Sequence, residues 1–247
     1  MARHARKLSG SGYLHVIVRG IGKQILFEEP KDNVYYIRLL ERFSEETSVS
    51  VCAYCLMENH VHLLISDKGA DTPLFMKKMG VSYSAYFNKK YERCGHLFQD
   101  RYFSEPVTDD AYFLGVLRYI LRNPQEAGVC TAGDYPWSSF KLYGRRDSFV
   151  DTSFICEMLG SYENFASFIE NGEVEFTPLM SAAQKADEKA GRIIRDKLGM
   201  TSGTEIQSLD RKERDEAIAL LLREGVSIRR IERLTGISRG VIQSISW

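Results

Sequence analysis

A two-residue turn between two apolar segments constrains the fold of this chain most strongly. Val49–Met57 and residues 60–66 are rich in residues that favour β-strands, and Glu58-Asn59 between them can turn. A further strand is predicted at Tyr13–Arg19, ahead of this pair. The chain is therefore expected to build its core around an antiparallel sheet.

Helices are expected to cover this sheet. Apolar residues recur at helical spacing over residues 32–43, 72–91 and 109–123, and Pro124 is expected to end the last of these helices. Residues 94–107, between the second and third helices, are expected to be extended. The order strand, helix, strand, strand, helix predicts an α+β fold with a ferredoxin-like antiparallel sheet.

Charge is distributed unevenly, although the net charge of the whole chain is zero. Residues 1–146 hold 20 Lys and Arg against 16 Asp and Glu, residues 147–206 hold 5 against 11, and residues 207–247 hold 8 against 6. This pattern predicts a first domain at 1–146, an acidic, mainly helical connector at 147–206 and a small C-terminal unit at 207–247.

The C-terminal unit is predicted to be all-α and to contain a helix-turn-helix. A helix over residues 211–224 is followed by two short helices that Ser227 and Ser238 can cap, with Thr235-Gly236 as the turn between them. Three side chains of the last helix stay outside and are predicted to reach the bases or phosphates of double-stranded DNA: Arg239, Gln243 and Ser244.

The composition indicates a cytoplasmic globular protein rather than a secreted or membrane protein. The chain is 44% hydrophobic, yet no apolar run approaches the ~18 residues that a membrane span needs. Its five cysteines are odd in number and widely scattered, which favours a reducing cytoplasm over a disulfide scaffold.

The sharpest chemical feature is His60-Val61-His62 on the third predicted strand. Side chains alternate along a strand, so both imidazoles point to one face, where they can hold one divalent metal ion. The simpler interpretation is two polar residues on a half-exposed strand. Zinc held together with Cys52 and Cys55 is another alternative, but on a regular strand those two cysteines point to opposite faces.

A tyrosine and an asparagine lie one turn apart on the helix over residues 109–123. Tyr119 and Asn123 are off its apolar stripe on a common flank, and Tyr112 lies further back on the same flank. Taken alone, Tyr119 is best interpreted as a boundary residue of an amphipathic helix.

Together these segments resemble a known family. Residues 57–65, Met-Glu-Asn-His-Val-His-Leu-Leu-Ile, resemble the histidine–hydrophobe–histidine signature of HUH endonucleases. Residues 119–124, Tyr-Ile-Leu-Arg-Asn-Pro, resemble the nucleophile helix of the single-tyrosine, insertion-sequence-200-like transposases, especially the REP-associated tyrosine transposases. The resemblance extends over about residues 3–143 and includes three further blocks, at residues 53–57, 97–101 and 137–139.

The resemblance implies an HUH endonuclease fold and a defined chemistry. Tyr119 would attack a DNA phosphodiester and become linked to its 5′-phosphate, while His60, His62 and Asn123 would hold Mg²⁺ or Mn²⁺. The implied substrate is single-stranded DNA beside hairpins, in transposition or the mobilisation of REP-like elements in a bacterial cytoplasm. Related enzymes act as monomers or dimers, so a homodimer is one of the expected assemblies.

A basic and aromatic segment lies at the end of the second helix. Tyr86 and Tyr91 are candidates for stacking on bases, and three neighbours are predicted to contact the phosphates of single-stranded DNA: Lys89, Lys90 and Arg93. The alternative interpretation places Tyr83 and Phe87 in the core and the lysines on a solvated face.

Two other functions compete with a tyrosine-dependent DNA nickase and strand transferase. In the first, the protein is a sequence-specific DNA-binding regulator, and its nuclease domain is catalytically idle. In the second, the last helix packs against a partner protein. The presence of Tyr119 together with His60, His62 and Asn123 favours the enzyme.

Overall fold

The computed structural model describes residues 10–99, 101–171, 182–200 and 202–245. The chain forms two compact units. The sheet unit comprises Met1–Arg19 and Ile25–Pro178, and the C-terminal unit comprises Gly20–Gln24 and Leu179–Trp247. No helix in the described ranges is both long and apolar enough to span a membrane.

Four strands form one sheet in the sheet unit: β1 (Tyr13–Arg19), β2 (Val49–Met57), β3 (His60–Asp67) and β4 (Phe103–Pro106). Their order is β2-β3-β1-β4, and every neighbouring pair is antiparallel. This is the ferredoxin-like sheet that the sequence predicts, although β4 occupies only the end of residues 94–107.

Five helices are described in the sheet unit: α1 (Pro30–Glu45), α2 (Thr72–Lys90), α3 (Asp110–Glu126), α4 (Ser153–Leu159) and α5 (Tyr162–Asn171). The expectation that Pro124 ends α3 is wrong, because the proline lies in the last turn. There it removes one helical hydrogen bond, while the backbone N–H of Ala127 still donates to the carbonyl of Asn123 at 3.0 Å. Asn123 is therefore inside the helix.

The two faces of the sheet are covered by different helices. Val61 and Leu63 of β3 pack in an apolar cluster with α1 and α2, whereas Leu64 packs in a second cluster with α3 and α5. Because side chains alternate along a strand, His60 and His62 are in phase with Leu64 and lie on the α3 face.

An irregularity in β2 corrects the expectation about its cysteines. The register of β2 against β3 shifts between Val51 and Ala53, as in a β-bulge. Cys52 and Ala53 therefore both pack in the cluster on the α3 side, and so does Cys55. The two cysteines share a face, contrary to the alternation of a regular strand.

Apolar side chains divide the predicted acidic connector between the two units. Phe165 and Ile169 of α5 are buried in the cluster with α3. Ile194 of α6 (Ala182–Leu198) is buried in the core of the C-terminal unit. The structure thus divides the chain differently from the prediction, because residues 147–206 carry apolar faces that each unit buries.

The C-terminal unit contains the predicted short helices joined by a glycine turn. Its last three helices are α7 (Arg211–Arg223), α8 (Ile228–Thr235) and α9 (Arg239–Gln243). Gly236 ends α8 with a φ of 74°, the left-handed conformation that favours glycine. Ile218, Ile231 and Ile242, one from each helix, are fully buried in its core. The order of elements is that of a helix-turn-helix, and DNA binding by this unit stays a prediction.

A buried carboxylate ties α1 to the end of α2. Asp32 is fully buried and accepts hydrogen bonds from the Tyr86 hydroxyl (2.9 Å), the Tyr91 hydroxyl (2.6 Å) and the Lys90 ammonium (2.5 Å). Burial raises the pKa of this carboxyl, but the hydrogen bonds from Lys90, Tyr91 and Tyr86 outweigh it and hold the pKa below its usual value.

We expect Asp32→Asn to lower the free energy of unfolding by about 2–4 kcal/mol, because it leaves one ammonium and two phenols with a weaker acceptor. Urea unfolding at pH 7 measures this change. Lys31→Ala, at an exposed neighbour on α1, is the control and should stay within about 0.5 kcal/mol of wild type. Equal stability of Asp32→Asn and wild type contradicts the role given to this carboxylate.

Candidate active site

Two imidazoles lie side by side on the α3 face of β3. The ring centroids of His60 and His62 are 4.9 Å apart. His62 is fully buried and His60 is half-buried. On β1, Arg19 lies opposite His60 and Ile17 lies opposite His62. Since residues directly opposite in antiparallel strands point to the same face, Arg19 shares this surface.

A third histidine, which is not among the predicted site residues, joins the pair. His15 on β1 is fully buried, and its Nε2 lies 3.1 Å from Nδ1 of His62. The two rings are stacked with their centroids 5.4 Å apart. From the sequence, the alternation along β1 predicts that His15 points to the face opposite to Val16 and Val18. That His15 lies beside His62 follows only from the register of β1 against β3.

α3 brings the predicted tyrosine and asparagine to these histidines. The ring centroid of Tyr119 is 5.3 Å from that of His62 and 5.9 Å from that of His15, both in edge-to-face geometry. The side-chain amide of Asn123 donates to the carbonyl of Tyr119 at 2.8 Å, and Asn123 also hydrogen-bonds His60. The geometry therefore gathers all four predicted residues in one place.

Three sets of contacts hold α3 in position. Five residues of its apolar stripe are buried: Phe113, Val116, Leu117, Ile120 and Leu121. At its beginning, Asp109 accepts from the backbone N–H of Tyr112 at 2.8 Å, and the Tyr112 hydroxyl hydrogen-bonds the buried Glu105 of β4. Towards α5, Nε of Arg118 donates to the carbonyl of Phe168 at 2.9 Å, and the guanidinium lies 3.8 Å from that ring centroid.

Burial keeps the three histidines neutral at pH 7. It lowers the pKa of His15 to about 3 and that of His60 to about 4, and it holds the pKa of His62 well below its usual value. The positive charge of Arg19 adds to the effect on His60 and His62, whereas the hydrogen bond with Asn123 raises the pKa of His60 in part. Neutral imidazole is the form that binds metal ions.

Hydrogen bonds at Nδ1 orient both imidazoles, and the Asn123 side chain meets the other nitrogen of His60. Nδ1 of His60 lies 2.8 Å from Oδ1 of Asn59, an oxygen that only accepts, so His60 carries its proton on Nδ1. His62 has the same arrangement when its Nδ1 donates to Nε2 of His15. In both rings Nε2 then keeps the lone pair that a metal ion binds.

The donor set at this site consists of two imidazole nitrogens and one amide oxygen. Within the described residues, no three His, Cys, Asp or Glu side chains converge as a group that could hold a metal ion. An ion on His60 and His62 would therefore add the Asn123 oxygen and oxygens of water or substrate, a mixture that suits Mn²⁺ and Mg²⁺. The zinc alternative has no support, because Cys52 and Cys55 join no such group and burial raises the pKa of both thiols.

The structure does not bring the predicted contacts of α2 to this site. α2 packs on the face of the sheet opposite to α3. The ammonium of Lys90 is bound by the carboxylate of Asp32, and its contact with a phosphate stays a prediction. Lys89 is exposed, and the guanidinium of Arg93 lies 5.6 Å from the ring centroid of Phe87.

One of the three predicted DNA contacts in the C-terminal unit is engaged by a neighbour. Nε of Arg239 lies 2.5 Å from a carboxylate oxygen of Glu232 on α8. Gln243 and Ser244 are exposed, and the Ser244 hydroxyl donates to the carbonyl of Val241 at 2.7 Å. DNA contact by Arg239 therefore requires this ion pair to open, which the sequence does not predict.

Part of the chain matches a model of a known protein family. Residues 9–123 match the family model described as Transposase IS200 like. The matched range contains His15, Arg19, both histidines of β3 and Tyr119, and it ends at Asn123.

The solved structure of a REP-associated tyrosine transposase bound to a REP hairpin resembles this chain in fold. The match has a TM-score of 0.55 at 12% sequence identity and covers 73% of this chain and 98% of that chain. At this identity the likeness concerns the fold, a four-stranded antiparallel sheet with helices. No curated protein matches this sequence.

Lowering the pH from 7 to 5 in the presence of EDTA is expected to destabilise the protein. The pKa of histidine in the unfolded chain is about 6.5, so at lower pH the unfolded chain binds protons that the buried histidines do not bind. For His15, whose pKa in the folded protein is about 3, the loss by pH 5 is about 2 kcal/mol. Urea unfolding at both pH values measures the difference, and His15→Gln should lose about 2 kcal/mol less than wild type.

His96→Gln, at an exposed histidine, is the control for this experiment and should keep the wild-type difference between the two pH values. Identical pH dependence in wild type and His15→Gln contradicts a buried, neutral His15.

Proposed function

We propose that the protein cuts and rejoins single-stranded DNA through a covalent bond to Tyr119, on the premise that residues 9–123 match the IS200-like transposase family. The observation that carries the proposal is the convergence of α3 and β3. The ring of Tyr119 lies 5.3 Å from that of His62, in a site that also contains His60 and Asn123. A phenol beside two neutral imidazoles combines a nucleophile with donors for a metal ion.

The proposed reaction transfers a phosphodiester bond. The phenol oxygen of Tyr119 attacks the phosphorus and loses its proton, and the bond between phosphorus and the 3′-oxygen breaks. The 3′-oxygen takes up a proton to give a free 3′-hydroxyl, while the 5′-phosphate stays on the tyrosine. A second 3′-hydroxyl can reverse these steps on another strand, so rejoining needs no ATP.

Mg²⁺ or Mn²⁺ is the cofactor that we propose. Nε2 of His60, Nε2 of His62 and the amide oxygen of Asn123 would hold the ion. When bound, it polarises the scissile phosphate and offsets the charge that builds on it. The contribution of the chain is to keep both imidazoles neutral by burial and to orient them through Asn59 and His15.

Single-stranded DNA beside a hairpin is the substrate that we propose. Tyr119 is half-buried and its ring packs against that of His62, so a phosphodiester has to approach the sheet closely to react with it. A flexible single strand makes such an approach more easily than a duplex does. The transposase of similar fold is bound to a REP hairpin, which supports the same class of DNA here. Transposition or mobilisation of REP-like elements in a bacterial cytoplasm is the corresponding setting.

The C-terminal unit is proposed to bind double-stranded DNA through α9. Gln243 and Ser244 are exposed there, and Arg239 would join them after release from Glu232. Without chemistry in the sheet unit, the protein would be a DNA-binding regulator. The enzyme is the better proposal, because a regulator does not require a tyrosine held beside two neutral imidazoles. A homodimer stays a prediction.

Wild-type protein is expected to form a covalent adduct with single-stranded oligonucleotides from the flanks of its own gene in the presence of Mn²⁺. Tyr119→Phe should abolish the adduct, because its ring has no oxygen to attack the phosphorus. Denaturing gel electrophoresis measures the adduct. Tyr162→Phe, at an exposed tyrosine of α5, is the matched control and should keep it. If Tyr119→Phe forms the adduct at wild-type yield, another residue is the nucleophile and the proposal is wrong.

Removing one proposed ligand is expected to weaken Mn²⁺ binding. Asn123→Ala should lower the affinity at least about tenfold, and His62→Ala should lower it further, because each removes a direct donor. Electron paramagnetic resonance of free Mn²⁺ measures the affinity, and circular dichroism checks that each variant is folded. His96→Ala, at an exposed histidine, should bind like wild type. Unchanged affinity in folded His62→Ala contradicts the proposed ion site.

A further inference from the structure

Arg19 occupies the end of β1 beside the two histidines of β3. It lies opposite His60 in the antiparallel register, and its side chain therefore points to the α3 face. The backbone carbonyl of Arg19 accepts a hydrogen bond from the backbone N–H of Gln99 at 2.9 Å. This bond holds the end of the strand, so the guanidinium extends from a well-positioned backbone.

The guanidinium of Arg19 has no partner within the ranges that the structure describes. Its Nε is buried without a hydrogen-bond acceptor, and no ion pair of this side chain occurs among the described residues. Some other arginines of the sheet unit are paired, such as Arg42 with Glu46 and Arg145 with Asp147. A buried donor without an acceptor is unfavourable, so an anion that binds during function is the expected acceptor.

The positive charges around Arg19 also favour the binding of an anion. Arg19 lowers the pKa of His60 and of His62, which shows that a fixed positive charge lies close to both rings. The proposed metal ion adds further positive charge at the same place. Its ligands, the two imidazoles and the amide of Asn123, are all neutral and offset none of it.

The carboxylate of Glu105 does not supply this balance. It lies on β4 opposite His15, four positions along β1 from Arg19, which corresponds to about 13 Å along the strand. It is also engaged with the hydroxyl of Tyr112. Glu105 therefore does not neutralise Arg19 within the described part of the chain, and a substrate phosphate is a suitable counter-charge.

We propose that Arg19 is a catalytic residue that binds the scissile phosphate. Its planar fork of N–H donors matches two oxygens of a phosphate, and it lies on the same face of the sheet as the site that contains Tyr119. The guanidinium stabilises the charge on the phosphoryl oxygens while the bond to the 3′-oxygen breaks. This inference rests on the proposed function, since the phosphate belongs to the strand that Tyr119 attacks.

Inorganic phosphate is the probe for this binding site. With wild-type protein, Mn²⁺ is expected to broaden the ³¹P resonance of phosphate, because the site holds the anion beside the ion. Arg19→Gln should bind Mn²⁺ at least as tightly as wild type, because the variant lacks a neighbouring positive charge. The same variant should bind phosphate at least about tenfold more weakly than wild type. Arg38→Gln, at an exposed arginine of α1, is the charge control and should match wild type.

Two outcomes of the phosphate experiment overturn the inference. Phosphate binding at wild-type strength in Arg19→Gln shows that the guanidinium does not hold the anion. A loss of Mn²⁺ affinity in Arg19→Gln as large as the loss of phosphate binding shows that Arg19 supports the metal ligands instead.

Adduct formation separates this inference from the proposed function. Arg19→Gln is expected to form the covalent adduct with single-stranded DNA about 100-fold more slowly than wild type. Arg19→Lys should recover part of the loss, because lysine keeps the charge without the fork. A wild-type rate in Arg19→Gln overturns the inference and leaves the proposed function standing. Phosphate binding that depends on Arg19, with no adduct from wild type, removes the proposed function and leaves an anion site.

Discussion

The packing of α3 against the sheet is the constraint on which the candidate site depends. Its apolar stripe has to be buried, and this decides which flank of the helix faces β3. Tyr119 and Asn123, just off the stripe, come to lie at the histidines as a result. Rotating the helix by one residue, about 100°, would carry the phenol away from them. The contacts of Tyr112 with β4 and of Arg118 with α5 resist that rotation.

Burial then determines the charge of the site. His15, His60 and His62 are neutral because the surrounding protein excludes water, and the guanidinium of Arg19 is the charge beside them. The positive charge of Arg19 beside neutral imidazoles suits the phosphodiester that we propose as substrate. The same burial that builds the core thus prepares the site for an anionic substrate.

Local patterns are sufficient to predict β1, β2, β3 and the main helices, whereas the resemblance to the transposase family selects the four residues that converge. Alternation along a strand and a stripe along a helix operate within one element and need no tertiary information. The sequence does not predict the position of His15 beside His60 and His62, because that position depends on the register between β1 and β3. The ion pairs of Lys90 with Asp32 and of Arg239 with Glu232 escape prediction for the same reason, because each joins two different helices.

The position of a bound metal ion tests the central claim most directly. Anomalous scattering from a crystal soaked with Mn²⁺ locates the ion without any assumption about the DNA sequence. The account predicts a single strong peak roughly 2.1 Å from Nε2 of His60 and Nε2 of His62, with the hydroxyl of Tyr119 facing the ion. A peak on other residues, or a tyrosine hydroxyl directed away from the ion, contradicts the account.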